Sequence, residues 1–123
     1  VSDARNVLGG PLEVCGCEPM TGFFRDGYCR TDINDNGVHT VCAVVTEDFL
    51  AASKAMGNDL STPREEFGFK GLKEGDHWCL CAGRWLEAYR VGKAPKVILK
   101  ACDEETLAII PIEALKENSH LHQ

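Results

Sequence analysis

The sequence predicts an α+β fold: a small mixed or antiparallel sheet with two to three short helices and a long polar loop. Two observations point there. Short β-branched apolar runs alternate irregularly with short capped helical stretches, without the strand–helix repeat of a doubly wound parallel sheet. The 123 residues suit one domain, 1–123, and with 44% apolar and 26% charged residues the chain can bury a core unaided.

The start, through Gly9-Gly10-Pro11, is punctuated by turn residues and reads as irregular. Gly22-Phe23-Phe24-Arg25 and Tyr28-Cys29-Arg30 flank Asp26-Gly27, a pair that tolerates the positive φ of a tight hairpin. Val38 to Val45 is a nearly continuous apolar run and reads as a buried strand. Thr46 then caps a helix with Phe49, Leu50, Ser53 and Met56 on one face, ended by Gly57. Residues 58–76 form a polar connection of unusual length, and connections of that length are often functional. Within it, Thr62-Pro63-Arg64-Glu65 opens a turn of helix that Gly68 and Gly71 cut short. His77 to Ala82 reads as a strand and Arg84 to Arg90 as a helix with Trp85, Ala88 and Tyr89 inward. Lys96–Ala101 and Leu107–Ile110 form a hairpin around Asp103-Glu104-Glu105. Pro111 opens a last helix that uses Ile112 and Leu115. Phe23, Phe49, Trp78, Trp85, Leu99 and Ile110 supply the expected core.

Charge narrows the partners. Thirteen basic residues stand against 19 acidic ones, a net −6, and no Lys/Arg cluster offers a phosphate-backbone footprint. Nucleic acid is therefore excluded as a partner. No apolar stretch is long enough for a membrane span. A small molecule or a protein remains, and homo-oligomerisation stays open. The seven cysteines are an odd set for a secreted disulfide scaffold. Val1-Ser2-Asp3-Ala4-Arg5 lacks the pattern of a signal peptide, although the missing Met points to a trimmed start. The expectation is free thiols and a cytoplasmic location.

Several strings hint at chemistry. Asp32-Ile33-Asn34-Asp35-Asn36-Gly37 matches half a calcium loop, but Ala43 stands where the bidentate Glu belongs, so it reads as a polar turn. On a strand, His77, Cys79 and Cys81 share one face. A metal reading gathers His39, Cys42, Cys79 and Cys81 around zinc. It meets a geometric objection: residues two apart on a strand sit about 6.6 Å apart, whereas zinc-bound sulfurs need roughly 3.8 Å. No cofactor is expected outside that alternative. Cys15-Gly16-Cys17 offers only a strained local bridge. His39 and Cys42 face opposite sides of their strand, so a Cys–His pair needs a partner from elsewhere for each. Cys42 and Cys81 are the candidate nucleophiles. Arg25, Asp26, Asn58, Asp59 and Cys79 are the candidate ligand-binding residues, placed where the 57–75 connection meets the Asp26 turn and the thiol-bearing strand.

Five strings in order carry a resemblance: Asn6-Val7-Leu8-Gly9-Gly10-Pro11-Leu12, Thr21-Gly22-Phe23-Phe24-Arg25-Asp26-Gly27, His39-Thr40-Val41-Cys42-Ala43, Gly57-Asn58-Asp59-Leu60-Ser61-Thr62-Pro63 and Trp78-Cys79-Leu80-Cys81-Ala82. From about Asn6 to Lys116 the chain resembles a family of small uncharacterised proteins of bacteria and some eukaryotes, known only as a domain of unknown function. The resemblance implies a stand-alone cytosolic domain and brings no activity, substrate or cofactor. The family pattern commonly has Arg at His77 and Thr-His at Cys102-Asp103, and Cys17 and the Asp32–Gly37 string are atypical of it. Cys42, Cys79 and Cys81 lie within matching strings. The functional expectation is first a small-molecule or protein binding module, then a cysteine-dependent enzyme or redox protein using Cys42, Cys79 or Cys81, then a zinc protein.

Overall fold

A computed structural model describes residues 4–17 and 20–120. Its centre is a three-stranded antiparallel sheet in the order β2-β1-β3, with β1 at Val41–Val44, β2 at His77–Leu80 and β3 at Lys96–Val97. In register, Cys42 lies opposite Cys79 and Ala43 opposite Trp78 on one side, while Ala43 also faces Val97 on the other. Both faces of β1 are covered, which is why its residues read as a continuous apolar run rather than an alternation.

Among the described residues three α-helices pack around this sheet: α1 (Glu47–Ala55), α2 (Ala82–Arg90) and α3 (Ile112–Glu117). Thr46 caps α1 as expected, its hydroxyl accepting from the Phe49 N–H at 3.1 Å. Glu47 and Asp48 in the first turn and Lys54 in the last complement the helix dipole. Phe49 and Leu50 are driven into the core, and Gly57 (φ 95°) reverses the chain. Trp85 of α2 is fully buried and donates its indole N–H to the Pro95 carbonyl at 3.1 Å, so its polar atom is satisfied where its ring is buried. Pro111 opens α3, which buries Ala114 and Leu115. The α+β class and antiparallel sheet thus agree with the sequence reading.

Four expectations change. Residues 22–30 form no hairpin: Arg25 (φ 55°) and Gly27 (φ 87°) take the chain through turns, and Cys29 makes only an isolated bridge to Cys102. The 96–110 hairpin is also absent. After two residues β3 gives way to 3-10 turns at Leu99–Ala101 and Glu104–Ala108, the second capped by the Asp103 carboxylate. Phe23, expected in the core, is 38% exposed. The fourth change concerns the thiols. Cys15 is bonded to Cys42 and Cys29 to Cys79, leaving Cys17, Cys81 and Cys102 free. The general free-thiol expectation fails, and with it the ground for inferring a reducing compartment.

These bridges explain how the described residues between 4 and 40 hold together with no regular helix or strand. Each ties a turn-rich segment to a central strand, one to β1 and one to β2. The 58–76 connection is pinned too. The Asp59 carboxylate accepts from the N–H and hydroxyl of both Ser61 and Thr62, Arg64 and Phe69 exchange two backbone bonds of 2.8 and 3.0 Å, and Leu72 is buried. Phe69 packs against Trp78 with ring centroids 5.4 Å apart. No helix among the described residues is long and apolar enough to cross a membrane.

Candidate functional site

The loop entering β1 builds a carboxylate–imidazole–thiol chain. The Asp35 side chain has no exposed surface and is held by the Thr31 hydroxyl (3.0 Å) and the His39 backbone N–H (2.9 Å). Its other oxygen lies 2.6 Å from His39 Nδ1. The His39 ring, about a third exposed (35%), also lies beside Cys81: both flank the space above Gly37 and line one cavity. Burial pushes the Asp35 carboxyl up, but the bonds from His39 and Thr31 together outweigh it and hold it below its usual 3.8. His39 moves the other way, to about 9: Cys81 contributes most, burial opposes it, and Asp35 adds to it. The raised value favours the imidazolium at neutral pH, and its Nδ1–H donates to Asp35.

Local backbone fixes this geometry. Val38, a β-branched residue, sits at φ 50°, a conformation that costs it roughly 1–3 kcal/mol. The cost is offset by hydrogen bonds: Val38 N–H donates to the Asp35 carbonyl, and its own carbonyl accepts from Thr40 and from Ala82, the first residue of α2. The loop is thereby stapled to the start of the helix that carries Cys81. Gly37 allows the close approach. A Cβ there would stand 2.8 Å from His39 Cε1 and 3.1 Å from Cys81 Sγ. Cys81 itself occupies the N-cap of α2 without making a side-chain cap. That position ordinarily selects Ser, Thr, Asp or Asn, and the helix dipole there favours negative charge.

A cavity of about 370 Å³ opens onto the chain, lined among others by His39, Cys79, Cys81, Trp78, Asn58 and Arg25. Arg25 lies with its guanidinium 5.5 Å from the Trp78 ring centroid. A second groove of about 910 Å³ shares Arg25, Leu60 and Trp78 with the first and continues past Arg64, Phe69, Lys70 and Lys73.

Of the residues singled out from the sequence, Arg25, Asn58, Cys79 and Cys81 meet in the smaller cavity, together with His39. Asp26 and Asp59 do not line it. Asp26 is occupied by Arg30 at 2.7 Å and by the Tyr28 N–H, and Asp59 by its own turn, which lowers its pKa to about 2. Cys42, expected as a nucleophile, is fully buried and bonded to Cys15, so it offers no free thiol. Cys79 is bonded likewise to Cys29. The zinc set His39, Cys42, Cys79 and Cys81 is not gathered as such. The sulfurs of Cys15, Cys29 and Cys79 lie within 4.8 Å of one another instead, and all three belong to the disulfides. Cys102 is buried against β1, where it accepts from the Cys42 N–H, and burial pushes its thiol up to about 12.

Asp35, Gly37 and Trp78 were missed as site residues. The signal for the first was present: a carboxylate four residues before a histidine, inside a string that matched half a calcium loop. Reading the string as a polar turn was right about its backbone and overlooked one side chain.

Residues 5–119 match the family described as an uncharacterized protein conserved in bacteria, DUF2237, and the chain belongs to it. No curated protein matches the chain.

Proposed function

We propose that this protein is a cysteine-dependent enzyme in which Cys81 is the nucleophile, His39 its proton partner and Asp35 the group that orients His39. The observation that carries this reading is the Asp35–His39–Cys81 chain at the wall of a cavity. A cavity alone would suit a binding module, the first expectation from sequence. A free thiol at a helix N-terminus, beside an imidazole that is held by a buried carboxylate, is instead the arrangement that activates a nucleophile.

The reaction supported is covalent catalysis on an electrophilic carbonyl carbon. Sγ attacks the carbon, the S–C bond forms, and the carbonyl electrons move onto oxygen. Collapse expels the leaving group, which takes the His39 proton. Water then attacks the acyl carbon with neutral His39 as base, the C–S bond breaks, and the acid leaves with Cys81 and the protonated ring regenerated. Asp35 keeps the ring in one orientation throughout and stabilises its charged form.

Site-resolved alkylation tests this directly. With limiting iodoacetamide at pH 7, Cys81 should be the fastest-reacting thiol of the native protein, ahead of the more exposed Cys17. His39→Gln should slow it by roughly a hundredfold, the lower range of a positioned acid–base partner. A Cys81 rate no greater than that of Cys17, or one unchanged in H39Q, would sink the proposal.

A further inference from the structure

We infer that Arg25 selects the substrate's charge: the molecule that reacts at Cys81 carries a carboxylate or phosphate that Arg25 binds at the mouth of the cavity. This rests on the reading of Cys81 as nucleophile and adds the substrate class to it.

Arg25 carries a charge that its own neighbourhood does not neutralise. Arg30 is paired with Asp26, whereas Arg25, like Arg64 in the adjoining groove, makes no ion pair among the described residues, in a chain of net charge −6. Its neighbour Asp26 is already committed to Arg30. An unneutralised guanidinium amid excess acid is available to a ligand anion, and its planar fork matches a carboxylate or phosphate.

Arg25 is also held in place before any ligand arrives. Its backbone is at φ 55°, uncommon for a residue with a side chain, and its N–H donates to the Gly22 carbonyl at 3.0 Å. Gly22 cannot be replaced there, since it is itself at φ 99° and a Cβ would collide with the Tyr28 carbonyl. The side chain then lies over Trp78, which orders it without neutralising it. This places the guanidinium on the wall shared by the two cavities, one of which contains Cys81.

The second groove carries the same sign. Beyond Arg25 it is lined by Arg64, Lys70 and Lys73, with Asp76 as its only carboxylate among the described residues, and Asp76 already holds Lys73 at 3.5 Å. A substrate with its electrophilic carbon at Cys81 and an anionic group at Arg25 could extend along this groove.

Two alkylating agents separate charge selection from reactivity. Iodoacetate and iodoacetamide undergo the same step: Sγ displaces iodide, the S–C bond forming as the C–I bond breaks and iodide leaving with the electron pair. They differ in one negative charge. In the native full chain, the iodoacetate-to-iodoacetamide rate ratio at Cys81, read by peptide mapping, should exceed that of a small free thiol by roughly tenfold, the low end of what a charge-lined cleft achieves. Arg25→Gln should abolish the excess while leaving the iodoacetamide rate within about twofold, and Arg25→Lys should retain part of it. Inorganic pyrophosphate should slow carboxymethylation of the unsubstituted protein, which keeps the inference testable if R25Q does not fold. A native ratio equal to the free thiol's, an equal loss of both rates in R25Q, or no protection by pyrophosphate overturns the inference. An inert Cys81 toward iodoacetamide would instead defeat the nucleophile reading.

Discussion

Reducing the two disulfides should do more than lower stability: it should dismantle the site. The Cys15–Cys42 and Cys29–Cys79 bridges span sequence separations of 27 and 50 residues. Loop-closure entropy assigns each, taken singly, about 3.5 and about 4 kcal/mol through the unfolded chain. The loops overlap, so the two values do not add. Either is a large share of the 5–15 kcal/mol that typically stabilises a domain. The structural consequence falls on the segment 4–40, whose described residues form no regular helix or strand and include Arg25, Asp35 and His39. The assay is urea unfolding followed by tryptophan fluorescence, with and without a phosphine reductant, beside hydrogen exchange of the native state. Reduction should lower stability by about 3 kcal/mol or more, and protection should be lost first between residues 4 and 40. Cys81 alkylation should slow in parallel, because its imidazole partner sits on the freed segment. Equal unfolding midpoints with and without reductant, under conditions where all seven thiols then titrate, would refute the reasoning.

Other outcomes follow from the same geometry. Denatured, unreduced protein should take up three equivalents of a thiol reagent, and native protein should protect Cys102, whose sulfur is buried; seven equivalents without reductant would remove the bridges from the account. Gly37→Ala should slow Cys81 alkylation by about tenfold or more with only a modest change in thermal midpoint, since the added methyl meets His39 and Cys81 rather than the core; an unchanged rate would argue against close packing there. Asp35→Asn should cost about 2–3 kcal/mol, because a fully buried carboxylate that accepts a charged hydrogen bond is lost; a loss below about 0.5 kcal/mol would contradict it. Stability should also depend on pH in a defined way. His39 is raised from 6.5 to about 9, so its contribution is complete below 6.5 and lost as pH rises through about 9. Asp35 is lowered from 3.8, so its contribution is complete above 3.8 and lost as pH falls through its lowered value. A stability profile flat from pH 6 to 10 would contradict the His39 assignment. Chelation should leave the unfolding midpoint of the oxidised protein unchanged, and a large fall would favour the metal alternative.

How far the sequence led depends on which signals were local. Thr46, Gly57 and Pro111 announce helix boundaries through their own backbone chemistry, and those boundaries are where the sequence put them. The strands read over Val38–Val45 and His77–Ala82 form in shorter versions, Val41–Val44 and His77–Leu80, with Ala82 already in α2. The 22–30 hairpin was not foreseeable as a failure, because Asp26-Gly27 suits a tight turn whether or not strands flank it. What decides is the distant bridge from Cys29 to Cys79, together with Arg25 in a conformation that its residue type disfavours. Likewise, the alternation argument demanded a distant partner for each of His39 and Cys42, although His39 lies outside β1. It could not say that those partners are Cys81 and Cys15, since antiparallel register and the reversal at Val38 are set by tertiary packing.

The central claim is that His39 is an imidazolium held between Asp35 and the sulfur of Cys81, and one titration examines it most directly. The His39 ring Cε1–H resonance, followed by NMR across pH 5 to 11 in the intact oxidised protein, should show a midpoint near 9. In Cys81→Ala it should fall toward 6.5, because the sulfur is the largest contributor to the shift. A midpoint close to 6.5 in the unsubstituted protein, unmoved by C81A, would contradict the account.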